Sequence, residues 1–404
     1  MPQTCNSRRG DRGAIAIMAF TAGAAISNVY YNQPMLQLIA HDLGIDSLLT
    51  GLVPASTMGG FALGNFLLLP LGDRFNRKTV VLCQLAVTVV SLAGAAAAPS
   101  LPILLLAGVG IGLSSTVAQQ IVPFAASIAP PEMRGRYVGS VVSAILLGIL
   151  LGRAVGGIAS QFYGWRAVYS AAAVVMCVVA IIVGVWLPSS RPTTKLSYPR
   201  LLASLVPLLR EHPTLREAIL TQASLWAGFN VFWATLATLL ADEPYRLGSA
   251  WAGAFGLVGA LGAIAASLGG RISDRLGSRG VVGVCIALVF AAFVILIGAT
   301  WSLAALIVGV IVLDFGVQAA LAANQSRAFA LDPSAQSRLN TIFMTTMFIG
   351  ASIGAAGSAL AWTLGGWPAV ASYGGVLAIF GFVVHCWYSP KSESPVRSAA
   401  ARQQ

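Results

Sequence analysis

Long apolar windows separated by short polar breaks dominate this chain, and they are long enough for helices that cross a membrane rather than for barrel strands. Spanning a hydrocarbon core takes about 20 consecutive apolar residues in a helix. Windows of that kind fall near 14–38, 48–71, 79–98, 101–128, 136–160 and 165–187, and a second set near 215–240, 248–270, 280–299, 301–330, 338–364 and 367–388. The pattern predicts an all-α integral membrane fold of twelve transmembrane helices. Breaks such as Pro34, Pro54 and Pro123 are compatible with this, because neighbouring helices satisfy the backbone groups a proline frees.

Composition agrees with the pattern. Of 404 residues, 57% are hydrophobic and 9% charged, with a mean hydropathy of +0.81, whereas a soluble domain is about 25% charged. Too little polar surface is available to cover a water-soluble globule of this size. Disorder needs low hydrophobicity, and the 43 glycines lack the three-residue period of collagen. The five cysteines and three histidines are scattered singly. They support neither a disulfide framework nor a metal site, and no cofactor is expected.

The net charge of +11 would suggest nucleic acid in a soluble protein, but its placement argues for topology. Twelve spans put both termini on one side, and 21 of the 24 lysines and arginines fall on that side. Only Arg166 and Arg246 fall opposite, and Arg153 lies within a span. Basic loops mark the cytoplasm, so both termini are expected there, in a multi-pass protein of the cell inner membrane with no nucleic-acid partner. Arg8, Arg9 and Arg12 ahead of the first apolar run superficially look like a secretory signal. The spans that follow make an uncleaved first helix the better reading.

One long polar stretch, 189–213, interrupts the spans and predicts a cytoplasmic linker between an N-terminal six-helix bundle (1–188) and a C-terminal one (214–404). The halves repeat. Asn28-Val29-Tyr30-Tyr31 returns as Asn230-Val231-Phe232-Trp233, an offset of 202. Gly72-Asp73-Arg74 returns as Ser273-Asp274-Arg275, offset 201, and Gly164-Trp165 as Gly366-Trp367, offset 202. Two parallel six-helix repeats are the signature of alternating-access carriers with a site between the halves.

With these motifs the chain resembles the major facilitator superfamily over essentially its whole length. The loop Leu71–Lys78 is similar to that superfamily's G-x-L-A-D-R-x-G-R-K motif, with Leu69 and Asn76 in place of its glycines, and Gly270–Arg279 is a second copy that retains both. The resemblance implies two pseudo-symmetric bundles and a cytoplasmic latch formed by Asp73, Arg74, Arg77, Asp274 and Arg275. Gly148, Gly152, Gly156 and Gly157 of span 5 resemble the G-x-x-x-G-P-x-x-G-G element of drug:proton antiporters, although plain helix packing also explains such spacing. Arg153 stands where those antiporters carry proline, and span 4 lacks their R-x-x-Q-G pattern, so their usual antiport chemistry is not inherited.

Two ionisable residues, Arg153 and Asp314, stand out well inside spans, and intramembrane charges are functional hypotheses by default. Burial disfavours a carboxylate's charged form, so Asp314 could exchange a proton between conformations or neutralise a cationic substrate. Counting ~1.5 Å per residue along the helix places Asp314 near mid-membrane and Arg153 closer to the outer surface. The resemblance implies that spans 1, 4, 7 and 10 line a central cavity. Their polar and aromatic residues Asn28, Tyr31, Asn32, Gln119, Gln120, Trp226, Asn230, Trp233 and Gln318 are candidate substrate contacts, though buried amides also bond between helices for their own sake.

The expected protein is therefore a carrier, monomeric in the bilayer, that moves a small organic solute by alternating access. Proton-coupled efflux of the drug or sugar type is favoured, with a proton-coupled importer as the alternative. A membrane-embedded enzyme would need clustered His, Cys or acidic residues, and a channel would need a filter loop or charged ring.

Overall fold

The computed structural model describes residues 4–130, 133–190, 197–266, 269–332 and 335–388; the side chains of residues 4–12, 47 and 260–276 fall outside that description. The first pass is α1 (Thr4–Tyr30) and α2 (Asn32–Leu43), separated at Tyr31. The second joins α3 (Ser47–Thr50), α4 (Leu52–Leu68) and α5 (Leu71–Arg74). α6 (Arg77–Ala96) is the third, and α7 (Leu101–Ser115) with α8 (Val117–Ile128) the fourth. α9 (Arg134–Tyr163) and α10 (Trp165–Trp186) complete the first half.

The expected linker contains two short helices, α11 (Tyr198–Ala203) and α12 (Leu205–Glu211), seated through Leu201, Leu205 and Leu208. The second half holds α13 (Pro213–Ala241), α14 (Ser249–Ala266), α15 (Gly269–Ile297), α16 (Leu303–Phe329) and α17 (Gln336–Trp387). Gly277, at φ 71°, divides α15 into a short arm and the ninth pass. The 52 residues of α17 are broken at Gly365 and Gly366 into the eleventh and twelfth passes. Among the described residues there is no strand.

Turn chemistry repeats with the sequence. Gly164 and Gly366, 202 residues apart, carry φ of 78° and 59°, a region that costs a side chain strain and glycine nothing. At the other repeated loop the halves differ. Gly277 takes φ 71°, while Asn76 stays at φ −60° and its side chain instead caps α6 by accepting from the Lys78 amide at 3.0 Å.

Small residues set the packing within each half. Gly148 and Gly152 of α9 meet Gly23 and Ser27 of α1; 202 residues on, Gly350 and Gly354 of α17 meet Ala223 and Ala227 of α13. A Cβ at Gly148 or Gly354 would overlap the facing backbone, so these glycines allow the close approach that drives helix association in lipid. α13 is the most enclosed pass, with 89% of its apolar window buried against 33% for α6 and α10. It is the central element on which a site can be built. Leu106, Phe162 and Val185 lie exposed on the flank, as helices facing hydrocarbon require.

The face carrying the Pro70–Arg77 and Ala129–Arg134 connections is here called the basic face. On the far face, Arg166 and Arg246 form ion pairs with Asp42 and Glu243.

Candidate functional site

Residues from both halves converge on one closed cavity of about 30 Å³, walled by Tyr30 of α1, Leu150 and Arg153 of α9, Trp226 and Phe229 of α13, and Asp314 and Gln318 of α16. Arg153 is 2% exposed. Its Nε donates to Gln33 Oε1 at 2.9 Å, and its guanidinium lies 3.8 Å from the Trp233 ring centre, 4.9 Å from Tyr30 and 5.3 Å from Phe229. Its Nη2 has no partner. Asp314 is 3% exposed, and its Oδ2 also has none.

No ion pair joins these two among the described residues, although they share the cavity. Along α14, Arg153 packs against Gly253 and Gly256, nearer the Ser249 end, and Asp314 lies against Gly259, so Arg153 stands about one turn closer to the far face, in line with the rise count.

Gly259 of α14 faces Asp314 and Trp233; Trp233, like Asn230, lies beside the cavity rather than in its lining. A Cβ at Gly259 would lie 2.9 Å from Trp233 Cζ2 and 3.1 Å from Asp314 Oδ1. On α13, Trp226, Asn230 and Trp233 are spaced i, i+4 and i+7, one helical face. The indole N–H groups of both tryptophans and Asn230 Oδ1 are buried without partners, while Asn230 Nδ2 donates to the Trp226 carbonyl at 2.9 Å.

The remaining candidates divide. Gln318 lines the cavity, but Tyr31 does not: it packs on Gly156 of α9, and its neighbour Tyr30 faces the cavity. One residue turns a helix by 100°, which is enough to exchange the two roles. Gln120 is taken up structurally, donating to the carbonyls of Leu68 at 2.5 Å and Leu69 at 3.3 Å; Gln119 is half-buried outside the cavity. Asn32 donates to Thr57 Oγ1 at 2.9 Å and Asn28 to the Ala25 carbonyl at 3.3 Å. Gln120, Asn32 and Asn28 are thus taken up in helix-to-helix or local bonds. The sequence could have favoured Gln33 and Tyr30, but polarity alone does not say which side of span 1 faces inward.

In the repeated loop, Arg77 Nη2 pairs with Asp73 Oδ1 at 2.9 Å, and Arg77 Nε donates to the Gly72 carbonyl at 3.0 Å. Ser337 at the start of α17 donates to Asp73 Oδ2 at 2.6 Å, tying the two halves together at the basic face. Arg74 lies over Phe75. The side chains of Asp274 and Arg275 lie outside the described residues.

A third buried ionisable group was missed from the sequence. Glu217, at the basic-face end of α13, has a 3% exposed side chain and accepts from Arg279 Nε at 3.0 Å and Arg327 Nη2 at 2.6 Å, with His385 Nδ1 at 2.9 Å. These four residues join the seventh, ninth, tenth and twelfth passes. The signal was an acid inside the predicted span 215–240, passed over because it stands so near the end.

The far face is sealed between the halves. Ser249 of α14 donates to the Gly157 carbonyl at 3.0 Å and lies 3.3 Å from Ser160 Oγ, with Gly157 against Gly253. On the other side Ser352 donates to the Ala55 carbonyl at 2.8 Å, and Gly51 abuts Ala355 and Ala359. Gln37 donates to Thr238 at 2.8 Å. A larger space of about 490 Å³ lies on the flank between α4 and α17, but it is an open apolar groove with no ionisable lining. The chemistry is in the smaller, closed cavity.

Twelve helices in two packed sets of six, with a largely apolar cavity between them that carries Arg153 and Asp314, define a membrane carrier of small solutes. A profile of the Major Facilitator Superfamily matches residues 15–355, and the chain belongs to that superfamily. It is 34% identical over 370 residues to the uncharacterised transporter YgaY of Escherichia coli O157:H7, covering 92% of this chain and 94% of that one. To a Streptomyces coelicolor protein described as a probable transporter, SCO4007, it is 30% identical over 382 residues, 93% and 89% of the two chains. Among solved structures, the nucleoside transporter NupG (D323A mutant) superposes with a TM-score of 0.74 at 13% identity, covering 94% and 98%. The xylose transporter XylE from E. coli, in a partially occluded inward open conformation, superposes with a TM-score of 0.71 at 13% identity, covering 95% and 99%. These likenesses are of fold. The chain is a transporter rather than an enzyme.

Proposed function

We propose that the protein is a proton-coupled exporter of a small organic solute in the inner membrane, with the basic face and both termini in the cytoplasm. The observation that carries this reading is one closed cavity holding two buried, oppositely charged side chains that do not pair with each other. Isolated buried charges are costly, and a carrier uses them when substrate and proton complete them in turn. In this reading Arg153 and Asp314 form the coupling pair, with Trp226, Trp233, Asn230 and Gln318 in contact with the solute. Arg153 and Tyr30 are the other ionisable groups sharing the cavity with Asp314.

Alternating access follows from rocking 1–188 against 214–404 about this site, with 189–213 as the connection. The Ser249–Gly157 and Ser352–Ala55 contacts act as the outer seal, and Asp73, Arg77 and Ser337 as the inner latch. Export rests on the likeness of the span-5 glycines to the antiporter element alone, since Gly148 and Gly152 also serve to pack α9 on α1. Import is the second reading, favoured by nothing specific in the geometry.

The test is transport against pH in inverted and right-side-out vesicles. Asp314→Asn is expected to remove the response to an imposed proton gradient. Wild-type pH dependence in that variant defeats the proton role, and accumulation only in right-side-out vesicles defeats export.

A further inference from the structure

Resting on the reading of the Arg153–Asp314 cavity as the transport site, we propose that its substrate is a small zwitterion of the α-amino-acid kind. In this arrangement the carboxylate is held by Arg153 and the ammonium by Asp314. The apolar side chain lies against the aliphatic wall of Leu146, Ile149 and Leu150.

The unmet groups on residues lining the cavity are the Arg153 Nη2 and the Trp226 indole N–H, both donors, and Asp314 Oδ2, an acceptor. Beside the cavity, Gln33 Nε2 and the Trp233 indole N–H are further unmet donors and Asn230 Oδ1 an unmet acceptor. Gln33 and Trp233 both touch Arg153, through the 2.9 Å bond and the 3.8 Å ring contact. A carboxylate is the acceptor-only group that such a cluster recognises, and it suits the fork of an arginine. Across the cavity the unmet group is an acceptor, Asp314 Oδ2, which an ammonium with three donors completes.

Net charge then selects between ligand classes. A simple anion would satisfy Arg153 but share a closed space with the Asp314 carboxylate, and a simple cation would face the Arg153 guanidinium. A dipolar ligand compensates both buried charges and leaves the cavity neutral, loaded or empty. It also supplies the coupling, because the substrate's ammonium and a proton compete for one carboxylate, so release of either favours capture of the other. In this state the cavity, about 30 Å³, has room for little more than a water, so the solute is taken up as the halves part.

The experiment uses purified full-length protein in nanodiscs with three probes: L-leucine, N-acetyl-L-leucine (carboxylate only) and L-leucinamide (ammonium only). Binding is read by tryptophan fluorescence and by thermal stabilisation. Leucine is expected to bind, with both single-charge analogues weaker by about tenfold or more, since each leaves one buried charge uncompensated. Arg153→Gln should bring leucine and leucinamide to similar affinity, and Asp314→Asn should do the same for leucine and N-acetyl-leucine. Arg153→Lys, which keeps the charge, should keep the preference, separating loss of charge from loss of fold.

An analogue that binds as tightly as leucine overturns the zwitterion class, as does failure of all three probes to bind at about 10 mM, beyond the usual range of specific sites. If a single-charge analogue wins and loses affinity in Arg153→Gln or Asp314→Asn, the cavity stands as the site and only the class falls. If leucine binds and neither substitution alters its preference, the site itself is misplaced.

Discussion

Arg153 shows how a membrane protein keeps a charge it does not neutralise. Its guanidinium is spread over the faces of Trp233, Tyr30 and Phe229 and held in orientation by Gln33, so rings replace the carboxylate that would otherwise occupy it. A desolvated cation–π contact contributes about 0.5–2 kcal/mol. Trp233→Leu is accordingly expected to weaken solute binding by about threefold to thirtyfold, measured by titration of the purified protein. Gly259 matters for the opposite reason, its lack of a side chain. Gly259→Val should abolish transport while membrane expression and monodispersity persist, because the added atoms collide with Trp233 and Asp314; full transport in that variant would show that the wall is looser than described. Arg153 and Asp314 were legible in the sequence because charge is so rare within spans. Tyr30 was not, because which of two adjacent tyrosines on a helix faces inward is decided only once its neighbours are in place.

At the scale of helices, the apolar windows located the passes to within a few residues: 165–187 against Trp165–Trp186, and 301–330 against Leu303–Phe329. The linker helices α11 and α12 escaped, since a window of about 20 residues cannot register elements of 6 and 7 residues. Glu217 escaped for a related reason, as its partners come from three other passes. Removing its carboxylate would take from Arg327, with a 9% exposed side chain, and from Arg279 and His385 the counter-charge they share. Glu217→Gln is expected to destabilise the C-terminal half by about 3 kcal/mol, seen as a lower melting temperature in detergent. The Glu217→Gln/Arg327→Met double variant should recover part of the loss, since removing both ions is milder than stranding one.

Across the whole molecule, the halves pack through α4 on α17 and α9 on α14, and polar contacts cross between them at both faces. The far face is closed by small residues and serine hydroxyls, the basic face by Ser337 on Asp73. In a background without native cysteines, Ser160→Cys with Ser249→Cys should cross-link on oxidation, given the 3.3 Å between their hydroxyl oxygens. Transport should stop and return with reductant; undiminished transport in the oxidised protein would show that this seam never opens. Ser337→Ala should loosen the contact at the basic face and favour opening there, read as faster alkylation of a cysteine placed at Leu150. Asp73→Asn should have a larger effect, because Asp73 also pairs with Arg77.

The number of passes, the repeat at an offset of about 202, and the rarity of charge within the spans were determined by the sequence alone. The reason is that the bilayer imposes a one-dimensional rule, in which about 20 apolar residues cross and the charges between them stay out. Which face of each helix looks inward was decided only by tertiary structure. That choice put Tyr30 rather than Tyr31 into the cavity, turned Gln120 into a structural bond, and gathered Glu217 with Arg279, Arg327 and His385. Lipid is as apolar as a helix flank, so periodicity cannot distinguish the two surfaces. Packing of small residues against neighbouring helices makes the distinction, and it brings Arg153 and Asp314 to opposite walls of one cavity without pairing them.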